Sequence, residues 1–303
     1  MAAHMQRSWI TTKAARYCFR FLSVGIAAVI LLSMPGVRPA DAHDEDSRAH
    51  YLANEGVMVA HGETKVLFDP LFNESFGQYR LVPDDMRRAL FAGEPPWDGI
   101  DAVFISHYHD DHFSPRDMLE LLLERNDIRL YAPEQAVAAL REISGVEDEG
   151  LFARVTSIAL AYGDAPQQVE IPGLPGLLIE AVRIPHSGWP DSQTHVENIA
   201  WRITLDDHTT VLHLGDADTR DLHFEKHEKY WEQRLPHMAF PPYWYFLSDN
   251  GLKVLRERLR PAHSVGIHVP VTIPENAAER EPRLQDVDLF TRPGETREIP
   301  HRH

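Results

Sequence analysis

The stretch Asp101-Ala102-Val103-Phe104-Ile105-Ser106-His107-Tyr108-His109-Asp110-Asp111-His112 decides how the rest of the chain is read. Ala102 to Ile105 is an apolar run of the kind found in a strand buried on both faces. The residues after it form a His-x-His-x-Asp-His pattern. A solvated polar turn is the bland alternative, and it gives no reason for four ligand-type groups straight after a buried strand. In an extended segment His107 and His109 project to one side, while Asp111 and His112, beyond the turn, face a second point a few ångströms away. Imidazole and carboxylate donors suit zinc, and manganese or iron are also compatible.

Outward from this loop, Ser114-Pro115-Arg116-Asp117 starts a helix with a cap, a proline at the first position and an acid in the first turn. Upstream, Gly56–Ala60 and Lys65–Phe68 read as strands around the turn His61-Gly62-Glu63, the second ending at Asp69-Pro70. A helix follows over Pro83–Ala92, with Gly93 as its stop. Downstream the pattern predicts a strand at Ile128–Tyr131 and a helix over Pro133–Ile143. Strands are then expected near Leu151–Leu160, Gln168–Ile171, Leu177–Ile184, Asn198–Leu205 and Thr210–Leu214. A charged helix near Thr219–Arg234, a strand at His237–Phe240, a helix at Leu252–Leu259 and a strand at Ser264–His268 complete the series. The tail from about Thr272 is polar and proline-rich, with one last strand at Glu298-Ile299. These elements predict an α/β fold of two sheets with helices outside.

One turn cannot complete two tetrahedral sites, so further ligands must come from other strand ends. His186 follows Ala181–Ile184, Asp216 ends Val211-Leu-His-Leu-Gly-Asp, and His268 ends Val265-Gly-Ile-His. Each alone is weak, because a histidine or a Gly-Asp at a strand end is usually structural. Together, each closing an apolar strand, they point to a shared site. Gly215 would let the backbone approach a metal closely. His213 faces away from Asp216 in a strand and reads as a core or supporting residue, while the His61 turn is expected in solvent.

On these residues the chain, nearly end to end, resembles the metallo-β-lactamase-fold hydrolase superfamily. The resemblance implies an αββα four-layer sandwich of two mixed sheets flanked by helices. It implies that His107, His109 and His186 hold one divalent metal, that Asp111, His112 and His268 hold a second, and that Asp216 bridges them. Asp69 matches the position that orients ligands without binding metal. His263, close to His268, is the competing choice for the last ligand. The filled set implies two divalent ions, zinc first and manganese or iron as alternatives. The activity implied is that of a dinuclear hydrolase with a metal-bridging hydroxide, cleaving an ester, lactone, amide or phosphodiester bond of a small molecule. Asp111 would relay a proton. The bridging Asp216 is unlike the true β-lactamases and resembles the lactonase-like and glyoxalase-II-like branches. A mononuclear iron dioxygenase of the same fold and a non-catalytic periplasmic metal binder are the alternative readings. In the aromatic segment Phe240–Phe246, Tyr243 and Tyr245 are candidates for the substrate pocket.

The first residues read as an address label. Arg7, Lys13, Arg16 and Arg20 precede an apolar run from Phe21 to Met34, and Ala40-Asp41-Ala42 has the small-x-small form of a cleavage site. The run is shorter than the roughly 20 residues a membrane span requires, so no stable membrane anchor is expected. Residues 1–42 are thus expected to be a signal peptide, residues 43–50 a polar leader, and residues 51–303 a single catalytic domain. The product would be exported, periplasmic or secreted. The full chain has 303 residues and a net charge of -16, with 18 histidines and a single cysteine, Cys18. Cleavage after Ala42 would remove that cysteine, so neither a disulfide nor a thiolate ligand is expected. The strong acidity argues against a nucleic-acid partner and for a small-molecule substrate. The sequence leaves the oligomeric state open.

Overall fold

In the computed structural model, residues 47–144, 149–169 and 176–302 are described. The expected signal peptide and its cleavage site lie outside them. Three antiparallel strands open the fold: β1 (Arg48–Ala53), β2 (Gly56–His61) and β3 (Thr64–Phe68). Helix α1 (Asp84–Ala92) then carries the chain to β4 (Ile100–Phe104), which lies parallel to β3. Helix α1 ends at Gly93, whose φ of 64° gives the left-handed cap that glycine adopts at no steric cost. Helix α2 (Pro115–Glu124) leads to β5 (Arg129–Pro133), and α3 (Glu134–Ser144) with the short α4 (Glu149–Phe152) leads to β6 (Val155–Ile158). The Ser114 side chain accepts the Asp117 N–H, the cap that the sequence implies for α2.

The second sheet is built from β7 (Gln167–Val169), β8 (Leu178–Arg183), β9 (Ile199–Leu205), β10 (Thr209–His213), β11 (Met238–Phe240) and β12 (His263–Ser264). Its order is β12-β11-β10-β9-β8-β7. A last strand, β13 (Thr296–Glu298), returns to the first sheet, whose order is β13-β1-β2-β3-β4-β5-β6. Both sheets mix parallel and antiparallel pairs.

Side chains alternate along these strands, so each sheet has two apolar faces to cover. The inner faces meet in one core that includes Val59, Phe68, Phe104 and Tyr131 from the first sheet and Ile179, Trp201, Val211 and Phe240 from the second. Burying a side chain the size of Phe104 contributes about 1.5–3 kcal/mol. The outer face of the first sheet packs Met58, Leu67 and Val103 against Leu90, Leu121 and Leu140 of α1, α2 and α3. The outer face of the second packs Val182, Ala200 and Leu212 against Phe224, Trp231, Tyr245 and Leu259. Those last residues belong to helices α5 (Asp221–Glu225), α6 (Glu228–Gln233) and α7 (Trp244–Leu247) and to the π-helical turn Val254–Leu259 that continues α8 (Asp249–Lys253). The architecture is therefore the four-layer αββα sandwich implied by the sequence resemblance.

Several expected boundaries move. Residues Arg48–His50, expected in a polar leader, lie in β1 and pair with both β2 and β13, because Ala49 enters the inter-sheet core. The strand expected at Glu298-Ile299 runs over Thr296–Glu298. The helix expected over Thr219–Arg234 is broken in two, since the Phe224 carbonyl accepts from the His227 amide and the Trp231 indole. The strand expected from Leu151 starts at Val155, after a turn closed by the Arg154 amide on the Leu151 carbonyl. The turn at His61 is not solvated at its histidine, which is buried and bonds the Ser47 hydroxyl at 2.7 Å.

Candidate metal centre

The ends of β3, β4, β8 and β10 deliver their next residues to one edge of the sandwich. Beyond β4 the chain runs through Ser106 into the His107–His112 loop. This loop is tied to the second sheet by two cross-sheet bonds, Trp201 Nε1–H to the Ile105 carbonyl (3.0 Å) and the Ile199 amide to the Ser106 carbonyl (2.9 Å). Beyond β8, His186 makes an isolated bridge with Ala217, which holds the ends of β8 and β10 side by side. Asn198 locks the same junction. Its amide nitrogen donates to the Ile184 and Leu214 carbonyls (3.2 and 3.1 Å), and its oxygen accepts the Asp216 amide at 3.0 Å.

Gly215 is required here by packing. Its φ is 53°, and a Cβ would lie 2.5 Å from both Asn198 Oδ1 and the Ser106 Cβ. The sequence reading gave Gly215 a role in metal approach, whereas what approaches its Cα is protein.

All seven sequence-predicted ligand positions converge. Ligand atoms of His107, His109 and His186 lie within 4.8 Å of one another, as do those of Asp111, His112 and His268, and those of His107, His112 and Asp216. Asp216 spans the groups: Oδ2 is 3.3 Å from His186 Nε2, and Oδ1 is 3.4 Å from the Nε2 atoms of both His112 and His268. Asp111 Oδ2 lies 3.3 Å from His268 Nε2. His263, the competing choice, instead pairs with Asp288 at 2.9 Å. His268 itself lies beyond β12, with a left-handed φ of 56°. Its amide donates to the Asn54 carbonyl, and Asn54 Nδ2 donates to the Asp111 carbonyl at 2.9 Å. The β1–β2 turn thus positions two of the seven.

The hydrogen bonds around the rings set which nitrogens face inward. His186 Nδ1–H donates to the Ser187 carbonyl at 2.7 Å, leaving Nε2 as a lone pair. His112 Nδ1–H donates to Asp69 Oδ2 at 2.9 Å. Asp69 also accepts the Ser106 amide and hydroxyl, so the carboxylate orients the loop without facing the cluster centre. His109 presents Nδ1 to His107 Nε2 at 3.1 Å.

The residues fit a metal. Among the described residues, His112 Nε2, His186 Nε2, Asp216 Oδ1 and His268 Nε2 are buried with no hydrogen-bond partner. Leaving four polar atoms dry and unpaired would cost on the order of 1–3 kcal/mol each unless a cation takes them.

The electrostatics run the same way. Burial, and then the neighbouring imidazoles, hold His107 well below its ordinary pKa and push His109 down to about 4, so both stay neutral and able to ligate. Burial opposes charge on Asp216 and Asp111, but nearby histidines overcome it and keep both carboxylates below their usual range. His112 runs the other way: burial is overcome by Asp216 first and then Asp69, its pKa is raised well above the ordinary value, and a metal would have to displace its Nε2 proton.

Some neighbours of the site were not legible in advance. Glu55 is fully buried with neither carboxylate oxygen hydrogen-bonded, and it lies near Asp216 and His268 on one side and Asp69 and His213 on the other. Burial above all pushes its carboxyl well up. His213 is a supporting residue, as expected: Nε2–H donates to the Glu55 carbonyl (3.0 Å) and Nδ1 accepts the Gly215 amide (3.2 Å). Asn54 carried one signal, an Asx residue in a tight hairpin turn, where its φ is 46°. Glu55 carried none.

Above the cluster lies a cleft of about 430 Å³, lined by Phe76, Tyr79, Tyr108 and Trp244 as well as by the site residues. Tyr243 and Tyr245, the sequence candidates for this role, do not line it. Tyr245 is fully buried, with its hydroxyl on the Asp218 carbonyl at 3.2 Å, because α7 turns it into the outer core. Tyr243 packs against that same core. Trp244 between them reaches the site, its ring edge-on to His268 at 5.2 Å.

A metallo-hydrolase fold with clustered metal-binding side chains is the class that this architecture and edge define. Residues 64–243 match the model of the beta-lactamase superfamily domain, which is more than half of the chain, and the chain belongs to that family. It is 30% identical over 105 residues to the UPF0173 protein YddR of Bacillus subtilis, a stretch covering 32% of this chain and 40% of that protein. The chain thus spans less than half the length of that curated relative. Among solved structures it is similar to the metallo hydrolase Igni18 of Ignicoccus hospitalis (TM-score 0.56, 16% identity, 85% of this chain and 100% of that one). It is also similar to the isothiocyanate hydrolase from Delia radicum gut bacteria (TM-score 0.56, 16% identity, 82% and 98%). A third likeness is to the metallo-beta-lactamase fold protein YhfI of Bacillus subtilis (TM-score 0.53, 16% identity, 84% and 99%). At such identities the likeness is one of fold.

Proposed function

We propose that this protein is a dinuclear metal-dependent hydrolase of small molecules. His107, His109 and His186 would hold one divalent ion, Asp111, His112 and His268 the other, and Asp216 would face both. The observation that carries this reading is the set of four buried, unpartnered ligand atoms on His112, His186, His268 and Asp216, all turned toward one shared space. Zinc suits the nitrogen-rich donor set best, with manganese or iron as alternatives. Such ions supply an activated water at neutral pH and polarise the substrate's acceptor oxygen.

The chain's own groups do the rest. Asp69 fixes the His112 ring, and the aromatic walls of the cleft limit water. Asp111, lining the cleft, takes a proton from the attacking water and returns it to the leaving group. The bond cleaved is an ester, lactone, amide or phosphodiester. Export of the mature protein is part of the proposal and rests on the basic, apolar and small-residue order of the first 42 residues. Among the described residues no helix is long and apolar enough to cross a membrane.

Elemental analysis of the purified protein beside a panel of the four bond types tests the reading. About two metal ions per chain and turnover of at least one class are expected, with metal and turnover both lost in His109→Ala while the circular dichroism spectrum is retained. Turnover persisting in that variant would sink the site assignment.

A further inference from the structure

We propose that the part of the substrate remote from the scissile bond is aromatic and carries no negative charge. The inference rests on the hydrolase reading above and deepens it. Its first support is charge. Among the described residues that line the cleft there is no lysine or arginine, and the rim carries an additional acid, exposed Asp110. Beyond the metal-ligand cluster itself, a carboxylate, phosphate or sulfonate on the substrate would find no cation and one repelling neighbour.

The second support is the wall. Tyr79 meets His268 edge-on at 4.2 Å, Trp244 meets the same ring at 5.2 Å, and Tyr108 stands beside His109. Phe76 completes the mouth, 56% exposed and with a left-handed φ of 51°. That backbone region is a rare one for a bulky side chain and costs about 1–3 kcal/mol.

The turn is nevertheless built firmly. The Glu74 carboxylate accepts the Ser75 and Phe76 amides (2.9 and 2.7 Å), and the Ser75 carbonyl accepts the Gln78 and Tyr79 amides. The Glu74 amide donates to the Asp110 carbonyl of the histidine loop, and the Val271 amide, beyond His268, donates to the Gln78 carbonyl. A strained turn pinned at both ends to the ligand loops thus holds a large apolar ring out in water at the lip of the cleft. A flat apolar group entering the cleft covers that ring and stacks within the aromatic wall.

Hydroxamates, which chelate divalent ions without needing to be hydrolysed, separate this inference from the hydrolase reading. Metal-loaded protein is titrated calorimetrically with acetohydroxamate, phenylacetohydroxamate, and the 4-carboxy and 4-trimethylammonio derivatives of the latter. Phenylacetohydroxamate is expected to bind about tenfold tighter than acetohydroxamate and the 4-carboxy derivative, with the 4-trimethylammonio derivative binding at least as tightly as phenylacetohydroxamate. Equal or tighter binding of the carboxylate or the bare acetyl compound overturns the inference, as does a cation that binds more weakly than the carboxylate, or failure of all four to bind. Phe76→Arg is expected to bring the 4-carboxy compound to parity or better, and no gain there also counts against it. If the methyl esters of the same four acids and the four-bond panel all resist turnover while the hydroxamate order holds, the hydrolase reading fails and the pocket's preference stands.

Discussion

Asp69 and His112 are bonded through Oδ2 and Nδ1 at 2.9 Å, with both side chains fully buried. The same carboxylate takes both donors of Ser106, so it fixes the loop's backbone and the tautomer of one ring together.

Asp69→Asn therefore places an amide nitrogen or a weaker acceptor against the His112 Nδ1–H and the Ser106 hydroxyl. Metal affinity is expected to fall about 10- to 100-fold. Competition with a chromogenic chelator measures it, and an unchanged affinity would remove Asp69 from its orienting role.

Glu55 gives a second prediction, for the metal-stripped protein. Burial raises its pKa above the ordinary value, so the stability it allows is present at low pH and is lost as pH rises through the raised folded value. Glu55→Gln removes that titration. The melting temperature of the variant relative to the parent should climb as pH rises above about 5. A difference that is flat across the range would show that Glu55 carries no uncompensated charge.

The pH dependence of the parent follows from the rings. His109 titrates near about 4 in the fold against 6.5 in the unfolded chain, and His107 is depressed in the same direction. As pH drops from about 6.5 toward 4 the unfolded chain takes up protons that the folded one refuses, so stability falls. His112 acts oppositely: its raised pKa gives stability that is complete below about 6.5 and is lost as pH rises through its folded value. Thermal melts of metal-stripped protein should peak near pH 6.5. A maximum displaced by two units or more would contradict these assignments.

Gly215→Ala should be costly although no ligand is touched. The new Cβ would meet the Asn198 side chain and Ser106 at 2.5 Å, in a backbone conformation that alanine disfavours. A loss of about 2 kcal/mol or more is expected from denaturant melts. The Asp216 amide would also lose its place on Asn198, so metal affinity should fall with it.

Much of this was legible in the sequence because its signals are local. A buried strand running into His-x-His-x-Asp-His, a Ser-Pro-x-Asp cap and apolar strands ending in His186 and Asp216 depend on residues close in the chain. His268 is preferred to His263 because it closes an apolar run, and the structure places it in the cluster even though the strand β12 stops at Ser264, short of it. What could not be read depends on chain segments meeting. Asn198 matters because β8 and β10 end beside it, and Glu55 because a hairpin turn is pressed under the cluster. Tyr243 and Tyr245 were named for being aromatic and near in sequence, but the turn of α7 exposes Trp244 to the cleft in their place. Phe76 and Tyr79 sit in a loop with no periodic pattern, and only the folded chain brings them over the ligands.

The pairing of β13 with β1 reaches across nearly the whole described chain. During synthesis the outer margin of β1 waits, bare, until Thr296–Glu298 has been translated. An open strand margin of that kind invites mispairing with other nascent copies. Shielding by a ribosome-proximal chaperone, or delivery of the chain across a membrane before it folds, would relieve that hazard.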